Sequence, residues 1–182
     1  ERILDLSRGI QWPEWCVAGG LNISTTCLDL HPPDRLAVIW EGEEGATRQL
    51  TYGELKQQVE SCAAGLRKLG VRRGDPVAIH LPMMPETVVS LLAVTRIGAV
   101  AVPLFSGYGP AAIESRVRDV GARVIITCDA FPRRGARVKA RENCPPVEHL
   151  IVVPRMGEGD GLPSGDRADV ELTGAEDPLI IL

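Results

Sequence analysis

Five positive side chains crowd into the nine residues RRGARVKAR: Arg133, Arg134, Arg137, Lys139 and Arg141. Guanidinium forks bind phosphate oxygens two at a time, so this run is a candidate phosphate clamp. The plain alternative is a solvated face. A second candidate is PLFSGYGP, where Phe105, Ser106 and Gly107 follow an apolar run and lead into a helix start at Pro110. In open α/β sheets, ligands bind beyond the carboxyl ends of strands, and glycines let a flat or phosphorylated group approach the backbone. Its plain alternative is an ordinary strand–turn–helix link. Both segments follow neighbouring apolar runs, AVPL and VIIT, and that coincidence favours a bound phosphorylated nucleotide.

The sequence names no catalytic residue and no metal-ligand set beside these. It has neither a G-x-x-x-x-G-K-[ST] loop nor G-x-G-x-x-G. Ser106 is not a nucleophile elbow, because Leu104 and Tyr108 stand where that turn requires glycine. His31, His80 and His149 are far apart and read as structural, His80 as a satisfied histidine at a strand end. Trp12, Trp15 and Trp40 read as packing anchors.

Bulk composition removes several function classes. A net charge of −4 argues against general nucleic-acid binding, and 4% aromatic residues are too few for base-stacking platforms. The most apolar stretch, TVVSLLAVTRIGAVAVPLF, is broken by Arg96 and Pro103, so no membrane span is expected. Cys16, Cys27, Cys62, Cys128 and Cys144 are scattered and odd in number; they read as reduced thiols of a cytoplasmic chain.

The elements that must position the two candidates form an α/β pattern. Thr51 and Glu54 have capping-box spacing and open a helix running to about Leu69. A second helix, from about Pro85 to Ile97, is apolar nearly all round and should be buried on more than one side. A third runs from Pro110 to Val120. Gly70, Gly98 and Gly121 follow these helices and suit the left-handed position that ends them. Strands are expected near 36–41, 76–81, 100–104, 123–127, 149–153 and 179–182. Three of these runs lack alternation, as for a mostly parallel sheet flanked by helices. Residues 1–35 read as a helical or irregular lead-in, 36–182 as the α/β portion, and PRMGEGDGLPSGDRAD as a mobile surface loop.

Taken in order, WPEWCVAGGLNISTTCLDLH, LTYGELKQQV, LGVRRGDPVAIHLPMMPE, RIGAVAVPLFSGYGP and VIITCDAFPRRGARVK resemble the AMP-forming acyl-CoA synthetases, nearest the acetyl-CoA synthetase branch. The resemblance implies the front part of that family's large N-terminal domain. It also implies that DPLIIL leads into a loop holding the ATP phosphates, so the chain is expected to be one piece of a longer protein. The implied activity makes an acyl-adenylate and then an acyl-CoA from acetate or another short carboxylate, using ATP, Mg²⁺ and CoA. The 182 residues alone are expected to be inactive, to contribute only part of the CoA site, and to self-associate. By the resemblance, Phe105, Ser106 and Gly107 lie against the CoA adenine. Arg133 occupies the first of two arginine positions facing its phosphates, Ala136 the second, with Arg134 or Arg137 as a stand-in. The remaining alternatives are a non-catalytic CoA- or nucleotide-binding module and an interaction domain with a basic loop.

Overall fold

The computed structural model describes residues 2–182. The chain runs through strands β1 (Arg2–Asp5) and β2 (Glu14–Val17), a π-helical turn Thr25–Asp29, and strands β3 (Leu36–Glu41) and β4 (Thr47–Thr51). Helix α1 (Tyr52–Lys68), β5 (Pro76–His80), α2 (Pro85–Arg96), β6 (Val100–Pro103) and α3 (Pro110–Asp119) follow. Then come β7 (Val124–Cys128), the short β8 (Phe131–Arg133) and β9 (Ala136–Val138), a 3-10 turn Arg141–Asn143, and β10 (His149–Val153).

The central sheet is parallel, in the order β10-β7-β5-β6. Its strands lack a polar face because both faces are covered. Val77, Ile79, Ala101 and Ile126 pack with α1 and α2 on one side, whereas Ala78, Val102 and Ile125 meet Ile113 and Val117 of α3 on the other. The chain therefore leaves the carboxyl ends of the neighbouring strands β5 and β6 toward opposite faces. That divergence opens a crevice at the sheet edge where ligands of such folds lie.

Local signals explain the helix ends. Thr51 accepts from the Glu54 amide, and the Glu54 carboxylate accepts from the Thr51 amide, closing the capping box. Gly70, Gly98 and Gly121 adopt φ of +85°, +70° and +67°, where a β-carbon would be strained. As expected, α2 is buried on several sides, but so is its one cation, Arg96, at 2% exposure. Arg96 reaches Glu60 at 2.9 Å and Asp29 at 3.3 Å and donates to Ser24 and the Ala168 carbonyl. Nearby, the Asn22 amide donates to the carbonyls of Thr95, Arg96 and Glu171, satisfying the C-terminal end of α2.

Several expectations are corrected. The lead-in carries an antiparallel hairpin, β1–β2, where helix or irregular chain was expected. Trp12 and Trp15 are exposed at 65% and 54% rather than acting as packing anchors, whereas Trp40 donates its Nε1–H to the Met83 carbonyl. The strand expected near 36–41 is present as β3, which pairs with β4 in a separate antiparallel ribbon. PRMGEGDGLPSGDRAD is irregular yet docked: Ser61 and Gly165 exchange hydrogen bonds, and Ala168 is buried. Small residues explain it, since a β-carbon on Gly65 would lie 2.3 Å from the Pro163 backbone. The run 179–182 forms one parallel bridge, Ala101 with Ile180, rather than a full strand.

Candidate functional site

Phe105, Ser106 and Gly107 leave the carboxyl end of β6 immediately after the last ladder bond, Leu104 N–H to the Ile79 carbonyl. Beyond β7 the basic segment folds back as the β8–β9 hairpin, whose turn residues Arg134 and Gly135 have φ of +50° and +75°. Two left-handed residues in a two-residue turn match the right-handed twist of the flanking strands. The hairpin lays Arg133 over the glycine loop. Its guanidinium sits 4.8 Å from the centroid of the Phe105 ring. A β-carbon on Gly107 would meet Arg133 Nη1 at 1.9 Å, so only glycine lets the guanidinium lie this close to the loop backbone.

Phe105 is held from two sides. Arg133 covers one side, and Tyr108 meets the ring edge-on at 5.5 Å, with Arg116 in turn 4.3 Å from the Tyr108 centroid. Cation–π contacts of this exposure stabilise by about 0.5–1 kcal/mol each, enough to orient a side chain. Among the described residues Arg133 makes no ion pair, so its charge is uncompensated, whereas Arg155 pairs with Glu44 and lies over Trp40. The cleft beside this group measures about 270 Å³ and is lined by Trp40, Glu43, Met83, Ser106, Phe131, Arg133 and Arg155. A larger groove of about 770 Å³ lies between β3, α1 and α2; its lining is mainly apolar, with Val38, Leu55, Met84 and Leu91.

The structure thus brings together Phe105, Ser106, Gly107 and Arg133 and leaves Arg134 and Arg137 apart from them. Arg133 pairs across the hairpin with Ala136, which puts those two on one face. Arg137 pairs with Pro132 on the other face and reaches Asp129 at 4.0 Å. Arg134 sits at the turn, exposed, its amide donating to Glu43. Strand alternation is the reason: one residue of offset reverses the face. Asp129 anchors the base of the hairpin by accepting from the amides of Arg155 and Met156. Burial raises its pKa, but those amides outweigh it and hold the carboxyl below its ordinary value.

The reading of His80 as a satisfied histidine is corrected. His80 is fully buried at the end of β5, but not satisfied as expected, because Nε2 lacks a hydrogen-bond partner of normal geometry. Its other nitrogen, Nδ1, faces Thr127 Oγ1 at 3.4 Å and Cys144 Sγ at 4.0 Å. Burial lowers its pKa, opposed by the main chain of Ser106, so the ring is neutral. Its position within VAIHLP marks the strand end but says nothing of what stands over it.

Comparison with known proteins agrees with this architecture. A family model described as AMP-binding enzyme matches residues 28–182. The chain belongs to the AMP-binding enzyme family. Among relatives in that family, the acetyl-coenzyme A synthetase of Gemmatimonas aurantiaca is 41% identical over 170 residues, covering 85% of this chain and 26% of that protein. The acetyl-coenzyme A synthetase of Syntrophus aciditrophicus is 41% identical over 192 residues, covering 92% of this chain and 30% of that protein. An acyl-CoA synthetase crystal structure from Brucella canis superposes with a TM-score of 0.71 at 26% identity, covering 88% of this chain and 31% of that one. The chain therefore spans under a third of the length of these family members. Among the described residues no helix is long and apolar enough to cross a membrane.

Proposed function

We propose that this chain is the front section of the large N-terminal domain of an AMP-forming acyl-CoA synthetase, with residues 36–182 as the α/β portion and the earlier residues as a lead-in. The whole protein activates acetate or another short carboxylate with ATP in the cytoplasm. A carboxylate is a poor electrophile; attack of its oxygen on the α-phosphorus of ATP expels pyrophosphate and leaves an acyl-adenylate. The CoA thiol then attacks the acyl carbon, loses its proton, and expels AMP.

This chain's contribution is one wall of the CoA site. The nucleotide base lies against Phe105, Ser106 and Gly107, and Arg133 meets a phosphate. The observation that carries the reading is the Arg133 guanidinium, unpaired among the described residues and set on the Phe105 ring above Gly107. An unpaired guanidinium held at the edge of a cleft suits an incoming phosphate. Ala136 leaves the second arginine position empty on that face. Arg137 faces Asp129 on the opposite side of the hairpin, so Arg134, exposed at the turn, is the better stand-in.

Among the described residues no group of three or more His, Cys, Asp or Glu converges on a metal site, so no step through Mg²⁺ is assigned to this chain. The test is carboxylate-dependent ATP–pyrophosphate exchange together with thioester formation by the full-length protein. Absence of both activities with acetate, propionate and butyrate would overturn the reading. Thioester formation by the 182 residues alone would overturn the assignment of only one wall to this chain.

A further inference from the structure

Glu41 and Glu43 line the same cleft as Arg133, and Glu44 follows them in the β3–β4 turn. Carboxylates beside an anion site repel the ligand, so their presence needs a reason. The turn that carries them is closed by its own hydrogen bonds. The Gly42 amide donates to the Ala46 carbonyl at 2.8 Å, and the Gly45 amide to the Gly42 carbonyl at 2.9 Å. Glu44 pairs with Arg155 at 2.5 Å, and Arg155 lies over the Trp40 ring at 4.9 Å. A β-carbon on Gly42 would stand 2.7 Å from the Glu44 carboxylate and 2.9 Å from the Arg155 guanidinium, so a side chain there would have to displace the pair. Glu44 thus ties the turn to the end of β10. Glu43, one residue earlier, reaches the β8–β9 hairpin, where its Oε2 accepts from the Arg134 amide at 3.1 Å. Arg133 and Ala136 are the last ladder pair, so that amide stands beyond the ladder. Water could satisfy an exposed amide, so what the carboxylate adds is a fixed position for the hairpin tip. Arg133 is the residue next to that amide, and its main chain moves with the tip.

We propose that Glu43 is a positioning residue whose carboxylate holds the Arg134 amide and thereby keeps Arg133 over the Phe105 ring, where it meets the CoA phosphate. This rests on the CoA reading above. Glu43 acts on the phosphate in two ways of opposite sign. Its hydrogen bond places Arg133 and lowers the KM for CoA, whereas its charge in the same cleft raises it. A substitution that keeps the acceptor and removes the charge separates the two.

The experiment compares Glu43→Ala with Glu43→Gln in the full-length protein. Glutamine keeps an oxygen that can accept from the Arg134 amide and loses the charge; alanine loses both. Glu43 is exposed, so both variants should fold. Glu43→Ala should raise the KM for CoA about two- to tenfold, the range for one hydrogen bond, with ATP–pyrophosphate exchange within about twofold of wild type. Glu43→Gln should hold the KM for CoA at or below wild type. A carboxylate acting by charge alone would instead lower the KM in both. A KM for CoA in Glu43→Ala at or below wild type, an equal rise in both variants, or a parallel loss of exchange overturns the role. Combining Glu43→Ala with Arg133→Ala tests the route. If Glu43 acts through Arg133, the double variant should have a KM for CoA no higher than Arg133→Ala alone, and a further rise overturns it. The single variants separate this claim from the one beneath it. A raised KM for CoA in Arg133→Ala with none in Glu43→Ala removes Glu43 alone, whereas a wild-type KM in Arg133→Ala removes the CoA reading and this role with it.

Discussion

Replacing Arg96 with methionine should destabilise the chain through charge rather than packing. Methionine keeps an unbranched stem in a site only 2% exposed, so the loss falls on the guanidinium contacts with Glu60, Asp29, Ser24 and Ala168. Removing one partner of a buried ion pair costs about 3–5 kcal/mol. The lower end applies here, because neither carboxylate is orphaned. Lys56 remains 2.6 Å from Asp29 Oδ1, an ion contact off the hydrogen-bond axis, and Arg167 remains 3.8 Å from Glu60. A loss of about 3 kcal/mol lowers Tm by about 6–12 °C for a chain of this length. The effect is pH-dependent. Burial raises the Asp29 pKa, but Lys56 and Arg96 outweigh it and hold the carboxyl below its ordinary value. That stability is present above the unfolded carboxyl pKa, about 3.9, and is lost as pH falls through the lower folded value. The Tm gap between wild type and Arg96→Met should therefore be widest near pH 7 and narrow below about pH 4. Calorimetry from pH 3 to 7 measures it. A gap under about 2 °C at pH 7, or one that does not shrink on acidification, refutes the reasoning.

Two further outcomes follow from the same contacts. Gly107→Ala should displace Arg133, because the new β-carbon meets a flexible side chain rather than backbone; the KM for CoA should rise in steady-state assays while Tm stays within about 2 °C. The apolar residues Leu179 to Leu182, the last 99% exposed, lie on the open side of β6 and should drive self-association of the 182 residues. Light scattering should show oligomers that Ile181→Lys disperses, and a monomer at all concentrations would contradict this.

Much of the fold was legible because its signals are local. Val77 to His80 and Val124 to Cys128 are apolar without alternation, Thr51 and Glu54 have capping-box spacing, and Gly98 ends its helix as glycine does. The β8–β9 hairpin was hidden because Arg134-Gly135 is a weak turn signal beside Asn-Gly. The burial of Arg96 was illegible, since it depends on Asp29 and Glu60 arriving from distant parts of the chain. Of the candidate site, the sequence groups Phe105, Ser106, Gly107 and Arg133 by resemblance and by their place after neighbouring apolar runs, and in the structure Arg133 lies against Phe105 and Gly107. That Arg137 faces away needed the hairpin register.

The central claim is that Arg133 meets a CoA phosphate, and the separation of the two half-reactions tests it. Adenylation is complete before CoA is needed, so Arg133→Ala in the full-length protein should keep ATP–pyrophosphate exchange near wild type. A lost charged hydrogen bond typically costs about 1.5–3 kcal/mol, or roughly 10- to 150-fold in affinity. The half-exposed setting of Arg133 reduces this to about 5- to 30-fold in the KM for CoA. Arg133→Lys should recover only part, since an ammonium cannot reproduce the fork. A wild-type KM for CoA in Arg133→Ala, or an equal fall in adenylation, would contradict the account.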